Sequence, residues 1–96
     1  MMRADASPVE SLVRQEAHRI HARFRATAMH SIVRESGEGF EAQLELRFPQ
    51  HQVIVNAAAA SADAAVRAAA ARAEHELLRL AARDPSVAAP LHAKAA

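Results

Sequence analysis

The segment FEAQLELRF, residues 40–48, alternates apolar and polar side chains over nine positions without a break. Only an extended strand places every second side chain on one face, so this segment predicts a strand with one dry face and one wet face. A sheet built on such a strand needs a covering layer over its dry face. The apolar positions are Phe40, Ala42, Leu44, Leu46 and Phe48.

Two further strands are predicted on either side of this segment. Upstream, MHSIVRES contains β-branched residues and leads into Gly37-Glu38-Gly39, which is typical of a hairpin turn. Downstream, the residues from Pro49 to Gln52 break the alternation as a second turn, and VIVNA at 53–57 supplies a third strand. The pattern predicts a mainly antiparallel sheet of three strands, or of four if the chain adds one more.

Helical periodicity before and after the strands supplies the covering layer. Ser7-Pro8-Val9-Glu10 combines a capping box with proline at the first helical position, and a helix over about 8–25 follows. Its apolar residues recur at intervals of three and four, which is typical of a helix with one buried stripe. A second helix is predicted from Ser61 to about Arg83, where Asp84-Pro85 ends it. We therefore predict an α+β fold of order α-β-β-β-α, with both helices on one face of the sheet.

The 96 residues fit a single domain with one modest core. We place that domain at 7–84 and expect disorder at 1–6 and at 85–96, where the tail has little apolar bulk and no period. The absence of cysteine excludes a disulfide scaffold and thiolate zinc sites. No segment has the pattern of a signal peptide or a membrane span, and we expect a cytoplasmic protein without membrane contact.

Basic residues form one stripe on each predicted helix. At about 100° per residue, the first stripe lies away from Leu12 and Ile20, and the second helix repeats the arrangement. Neither stripe contains an acidic residue, whereas solvated helix faces usually carry both signs. The candidate RNA-binding residues are Arg14, His18, His21 and Arg25 on the first helix, and Arg72, His75, Arg79 and Arg83 on the second.

Two such stripes on one layer predict a broad positive surface for phosphates, and the alternative is that they are solvated faces that aid solubility. Arg19 and Arg23 lie on the opposite flank of the first helix, where Arg19 can pair with Glu16. A chain without Trp or Tyr, whose three Phe residues take core positions, has no platform for stacked single-stranded bases. A nucleic-acid binder of this composition would contact the phosphate backbone.

Metal and enzyme chemistry have less support. His18 and His21 form an HxxH pair, but zinc needs a third protein ligand, and arginines on the same face repel a cation. Glu41 and Glu45 belong to the wet face of a strand with no evident pocket. Both glycines lie in the predicted hairpin turn, so there is no phosphate-binding glycine loop. We expect no catalytic residue, no metal and no cofactor.

Three stretches of the chain resemble the ribosome hibernation promoting factor family, which includes proteins of the ribosome-associated inhibitor A type. They are SPVESLVRQEAHRIHARF, FEAQLELRFPQHQVIV and ADAAVRAAAARAEHELLRLAAR, and the likeness covers about residues 5 to 83. The resemblance implies two helices on one face of a sheet, binding to ribosomal RNA of the small subunit through basic helix residues, and silencing of translation under stress. By this resemblance, the eight candidate residues would be the ones that contact ribosomal RNA.

The chain departs from that family at its start, where MMRADAS leaves almost no room for the strand that precedes the first helix in family members. We therefore expect an uncovered sheet edge that can pair with another chain. Two alternatives follow from the same pattern. The order α-β-β-β-α is also that of double-stranded RNA-binding domains, and an uncovered edge is compatible with a homodimeric interaction module that binds no RNA.

Overall fold

Three strands form one antiparallel sheet, and two helices cover one of its faces. The computed structural model describes residues 8–89. In chain order the elements are α1 (Pro8–Arg23), β1 (Ala28–Ser36), β2 (Gly39–Phe48), β3 (His51–Ala59) and α2 (Ala62–Arg83), followed by a 3-10 helix at Pro85–Val87. The predicted α+β class and the order α-β-β-β-α are confirmed, and the strands lie in the order β1-β2-β3.

The hairpin between β1 and β2 depends on two glycines for different reasons. Ser36 pairs with Gly39 across a two-residue turn, and Gly37 in that turn has a φ of 61°, which glycine adopts without strain. At Gly39 the requirement is space, because a Cβ there would overlap the carbonyl oxygen of Ala59 on β3. The predicted turn is confirmed, and its sequence fixes the register of β1 against β2.

The third strand is longer than the sequence predicts. We predicted a turn over 49–52 and a strand over 53–57, but only Pro49-Gln50 form the turn, and Phe48 pairs directly with His51. The ladder then continues to the end of β3, where Ala59 pairs with Phe40. Alanine has a weak intrinsic preference for strands, and pairing with β2 overrides that preference here.

The dry face of β2 packs against α2, which lies across β2 and β3. The alternation predicted for residues 40–48 is confirmed, because the buried residues of β2 are Ala42, Leu44, Leu46 and Phe48. α2 presents small side chains to the sheet, and its fully buried alanines are Ala65, Ala69, Ala70 and Ala73. Small residues let the helix approach the sheet closely, and larger ones such as Leu77 fill the space that remains.

α1 packs beside α2, on the side of the layer nearer to β1. It joins the common core through Leu12, Ile20 and the residue that follows the helix, Phe24. The helix ends at Arg23, two residues before the predicted end, because Phe24 leaves helical geometry to form a bridge with Ala88. The predicted cap, Ser7, lies outside the described residues.

The two helices run in the same direction, opposite to β1 and β3. A connection of four residues joins the end of α1 to the start of β1. At the end of α2, Asp84 contacts His51 at the start of β3. The C-terminal ends of both helices therefore lie at the end of the domain where β1 and β3 begin.

Residues 85–89 belong to the domain, and our prediction of disorder over 85–96 is wrong for this part. The side chain of Val87 is buried, with 2% exposed. The N–H of Arg25 donates to the carbonyl of Val87 at 2.7 Å, and the N–H of Ala89 donates to the carbonyl of Arg23 at 2.9 Å. One apolar side chain and a few backbone hydrogen bonds hold the segment, and composition alone did not reveal either. Residues 1–6 and 90–96, also predicted to be disordered, lie outside the described residues.

Candidate nucleic-acid interface

All eight candidate residues are exposed, and all lie in the helix layer or directly after it. Seven are on α1 or α2, and Arg25 follows α1, where its backbone is held by Val87. The predicted exposure is confirmed for the seven residues on the helices, whereas Arg25, predicted on the first helix, lies after it. Their relative placement, however, is not the one we expected.

Three of the arginines line a groove between α2 and β3, which we call the α2 groove. It has a volume of about 590 Å³, and its β3 wall is formed by residues 51–56. Its helix wall contains Arg72, Arg79 and Arg83, together with Glu76. Three arginines against one glutamate leave two net positive charges in an open groove, which suits a polyanion.

A second groove lies between α1 and β1, and we call it the α1 groove. It has a volume of about 640 Å³, and its polar residues include Arg14, His21 and Glu10. One arginine against one glutamate makes this groove less positive than the α2 groove. Its other walls are mainly apolar and half-buried: Val9, Val13 and Ala17 of α1, and Met29 and Val33 of β1.

Arg14 and His21 line the groove beside β1, whereas the three arginines of α2 line the groove beside β3, at the opposite edge of the sheet. Arg25 lies apart from both grooves, beside His51 and Asp84. The single broad positive surface that we predicted does not form. Between the helices lies a line of ion pairs instead. His18 and His75 are exposed and line neither groove.

The ion pairs between the helices converge on Glu74. Arg19 and Arg23 of α1 each place a guanidinium nitrogen 3.4 Å from a Glu74 oxygen. Arg19 also contacts Glu16 at 2.6 Å, as the i+3 spacing predicted, and this hydrogen bond raises the pKa of Arg19 above its ordinary value. The outer surface between the helices is therefore charge-balanced.

The arginines of residues 8–89 divide into two groups by partner. Four form ion pairs with carboxylates: Arg19, Arg23, Arg34 and Arg47. Within the described residues, the remaining six form no ion pair, and five of these six belong to the two stripes. The six are Arg14, Arg25, Arg67, Arg72, Arg79 and Arg83. The guanidinium groups of the stripes are thus available to an external anion.

Sequence reasoning missed the glutamates beside the stripes. Glu10 lies four residues before Arg14, and Glu76 lies four residues after Arg72, so helical spacing places each beside a stripe. Both glutamates lie just outside the stripes, so the absence of acidic residues within the stripes did not reveal them. Their effect is to make the α2 groove the more positive of the two.

A polar cluster at the ends of α2 and β3 was also missed. His51 Nε2 lies 2.7 Å from Asp84 Oδ2, and Ser86 donates to Asp84 Oδ1 from both its hydroxyl (2.7 Å) and its backbone N–H (3.1 Å). Hydrogen bonds from Ser86 and His51 lower the pKa of Asp84 below its ordinary value. The sequence offered one signal, Asp84-Pro85-Ser86, which is typical of an aspartate that caps a turn. We had interpreted His51 as an ordinary turn residue.

Comparison with known proteins gives no match: no family model, no curated protein and no solved structure is similar to this chain. The structure shows a small α+β protein with exposed arginines on both helices. Within residues 8–89, no three side chains of the metal-ligating types come together. No helix in that range is long and apolar enough to cross a membrane.

Proposed function

We propose that this protein binds RNA through phosphate contacts, and that it is a cytoplasmic, ribosome-associated factor that restrains translation on the small ribosomal subunit. The observation that carries the proposal is the division of the arginines. The four arginines paired with carboxylates all lie away from the stripes, whereas the five stripe arginines are exposed without an ion pair in the described part of the chain. Exposed arginines of this kind are the usual contacts to RNA phosphates.

The α2 groove is the stronger candidate for these contacts. It carries three arginines against one glutamate, whereas the α1 groove carries one of each. Arg25 adds a further charge at the end of α1, where Val87 fixes its backbone. Contacts on opposite flanks fit a protein that lies between two RNA backbones, as in a cleft of a ribosomal subunit, better than one that lies flat on a single duplex.

Charge reversal tests the proposal. Arg79→Glu and Arg83→Glu should each weaken binding to small ribosomal subunits and lower the slope of log affinity against log salt by about one, because each removes a phosphate contact. Arg14→Glu should weaken binding less. The matched control is Arg47→Glu, since Arg47 is exposed on the opposite face of the sheet and is paired with Glu45.

Cosedimentation of the variants with ribosomal subunits in sucrose gradients measures these effects. Equal losses for Arg79→Glu and Arg47→Glu would show that binding is not directed by the α2 groove. If the wild-type protein does not cosediment with ribosomal subunits at low salt, the proposal that it binds the ribosome is wrong.

A second candidate is a double-stranded RNA-binding domain without a ribosomal role. The observation that favours it is the element order, with both helices on the same face of a three-stranded antiparallel sheet. Competition separates the two candidates. Release from ribosomal subunits by an equal mass of random RNA duplex would favour the general duplex binder, and resistance to that competitor would favour the ribosomal factor.

A further inference from the structure

Within residues 8–89, no strand pairs with the outer side of β1. β1 pairs with β2 over nine consecutive residues without a bulge, and its sequence contains neither proline nor lysine, two residues that often protect sheet edges. α1 packs chiefly against α2 and leaves the α1 groove beside β1. The middle of the strand carries Ile32, whose side chain is 54% exposed and faces away from the helices. This edge can accept another strand.

The opposite edge of the sheet is protected by charge. α2 lies over β3, and the groove between them contains Arg72, Arg79 and Arg83. An apolar strand that approached β3 would meet these guanidinium groups. At the β1 edge the corresponding groove is less positive, and five of its lining residues are apolar and half-buried. The β1 edge is therefore the one suited to pairing with a polypeptide.

We propose that a second copy of this chain pairs with β1, antiparallel and about a twofold axis at Ser31, to form a continuous six-stranded sheet. In this register Met29 lies opposite Val33 of the second copy, and Val33 opposite its Met29, which closes both apolar grooves from the side. On the face away from the helices, Ile32 lies opposite His30 of the second copy. Cross-strand apolar pairs such as Met29 with Val33 stabilise antiparallel sheets.

Other registers that keep the helices of both copies on one side of the sheet fit less well. An axis at Ile32 pairs the two copies of Ile32, but it places His30 opposite Arg34 and Met29 opposite the charged Glu35. An axis at Val33 places Ile32 opposite the charged Arg34, and an axis at Arg34 places two arginines directly opposite each other, which is destabilising. With the axis at Ser31, no two arginines and no two carboxylates are opposed. Of the four registers compared, only the axis at Ser31 places Met29 opposite Val33.

The absence of cysteine from the chain allows a direct test of this register. Ser31→Cys places two thiols at the axis, where the Cα atoms of paired residues in an antiparallel sheet are about 4.5–5.5 Å apart, within the range that a disulfide spans. Ser36→Cys is the matched control on the same strand. Ser36 is also exposed, but the two copies of it would lie about 33 Å apart, which is ten residues of strand.

We expect mild oxidation of nuclease-treated protein to cross-link the Ser31→Cys variant efficiently and the Ser36→Cys variant hardly at all. Equal cross-linking of the two variants would indicate random collision and overturn the proposal. Nuclease treatment removes RNA that could bridge two copies, so the result does not depend on the proposed RNA binding. A failure to bind ribosomes would not change the expected cross-linking, and a failure to cross-link would not contradict the proposed RNA binding.

A second test uses the two most exposed isoleucines. Ile32→Lys should give a monomer by light scattering, because it places two lysines near each other across the axis. Ile54→Lys is the control, since Ile54 on β3 is 50% exposed on the same face but lies at the other edge. Both changes are at the surface, and circular dichroism checks that both variants fold. A wild-type protein that stays monomeric at all concentrations, or an Ile54→Lys variant that loses the dimer equally, would contradict the proposal.

Discussion

Arg79 and Arg47 are both exposed arginines, but only Arg47 has a carboxylate partner within residues 8–89. An exposed ion pair contributes little to stability, roughly 0–1 kcal/mol. Its larger effect here is on availability, because Glu45 competes with any external anion for Arg47. Arg79 in the α2 groove has no such competitor at ion-pair distance in the described residues. The distribution of glutamates therefore selects which arginines can bind a phosphate.

At the same scale, Asp84 makes the fold sensitive to acid. Its pKa in the folded protein is lowered from an ordinary value of 3.8, first by the hydrogen bond from Ser86 and then by that from His51. A carboxylate with a lowered pKa stabilises the fold fully above its ordinary pKa. This contribution is lost as the pH falls through the lower, folded-state pKa.

The Asp84→Asn variant should therefore unfold with a weaker dependence on pH below about 4 than the wild-type protein, and it should be less stable at neutral pH. Urea unfolding at several pH values measures both effects. Ser11→Ala is a suitable control, since Ser11 is exposed on α1, far along the helix from this cluster. An unchanged acid transition in Asp84→Asn would show that the cluster does not contribute.

Sequence reasoning at the residue scale succeeded where partners are close in the chain. The pair of Arg19 with Glu16 followed from i+3 spacing and is confirmed. The contact of Arg23 with Glu74 spans 51 residues and depends on how the two helices pack side by side. His51 and Asp84 are 33 residues apart and meet only because α2 ends where β3 begins. No local pattern carries that information.

At the scale of elements, residues 85–89, which we call the strap, pack across the C-terminal end of α1. Phe24 and Ala88 form the bridge, and Val87 inserts into the core beside them. The segment also holds the backbone of Arg25, one of the candidate RNA contacts. A short stretch without periodicity thus connects the end of one helix to the end of the other.

Val87→Ala should lower the free energy of unfolding by roughly 1–3 kcal/mol, the usual range for removing buried methyl groups. The matched control is Val53→Ala. Val53 on β3 is only half-buried, so this change should lower the free energy of unfolding by less. Denaturant unfolding followed by circular dichroism measures both variants. A loss within about 0.3 kcal/mol of zero for Val87→Ala would mean that the strap does not pack on the domain in solution.

The elements that were predicted well are those with a long, unbroken period. β2 and α2 have such periods, and their bounds agree with the structure to within one residue. β3 was predicted to end at Ala57 because Ala58 and Ala59 have a weak preference for strands, and only pairing with β2 makes them part of one. The strap was missed because a single buried valine has no period.

At the scale of the whole molecule, the two proposals respond to salt in opposite ways. Phosphate contacts weaken as salt rises, because the counterions released on binding gain less entropy in a more concentrated salt solution. Pairing along β1 is built from backbone hydrogen bonds and apolar contacts, while Arg14 of each copy lines the groove next to the seam. Salt screens any repulsion between those arginines.

We therefore expect RNA affinity to fall log-linearly with salt while the dimer persists or tightens over the same range. Filter binding and analytical ultracentrifugation of nuclease-treated protein measure the two quantities separately. Dissociation of the dimer in parallel with loss of RNA would show that RNA, and not β1, holds the copies together. The Ile32→Lys variant serves as the monomeric reference.

The arrangement of the two stripes was the main feature that the sequence did not predict. Helical periodicity placed the seven stripe residues that lie on the helices away from the core. It cannot say which way a helix is turned relative to its neighbour, and Arg14 of α1 and the arginines of the α2 groove lie beside opposite outer strands. This arrangement buries the alanines of α2 and brings Glu74 to Arg19 and Arg23 of α1.

The alanines of α2 also determine how freely this sequence can change. Ala65, Ala69, Ala70 and Ala73 have no exposed surface, and any larger side chain there would push the helix off the sheet, at a typical cost of roughly 1–3 kcal/mol. The exposed alanines of the same helix have no such restriction: Ala64, Ala68, Ala71 and Ala82. Residues that look interchangeable in an alanine-rich stretch therefore fall into two classes. A chain descended from the same ancestor could replace the second class entirely and still keep the spacing between helix and sheet.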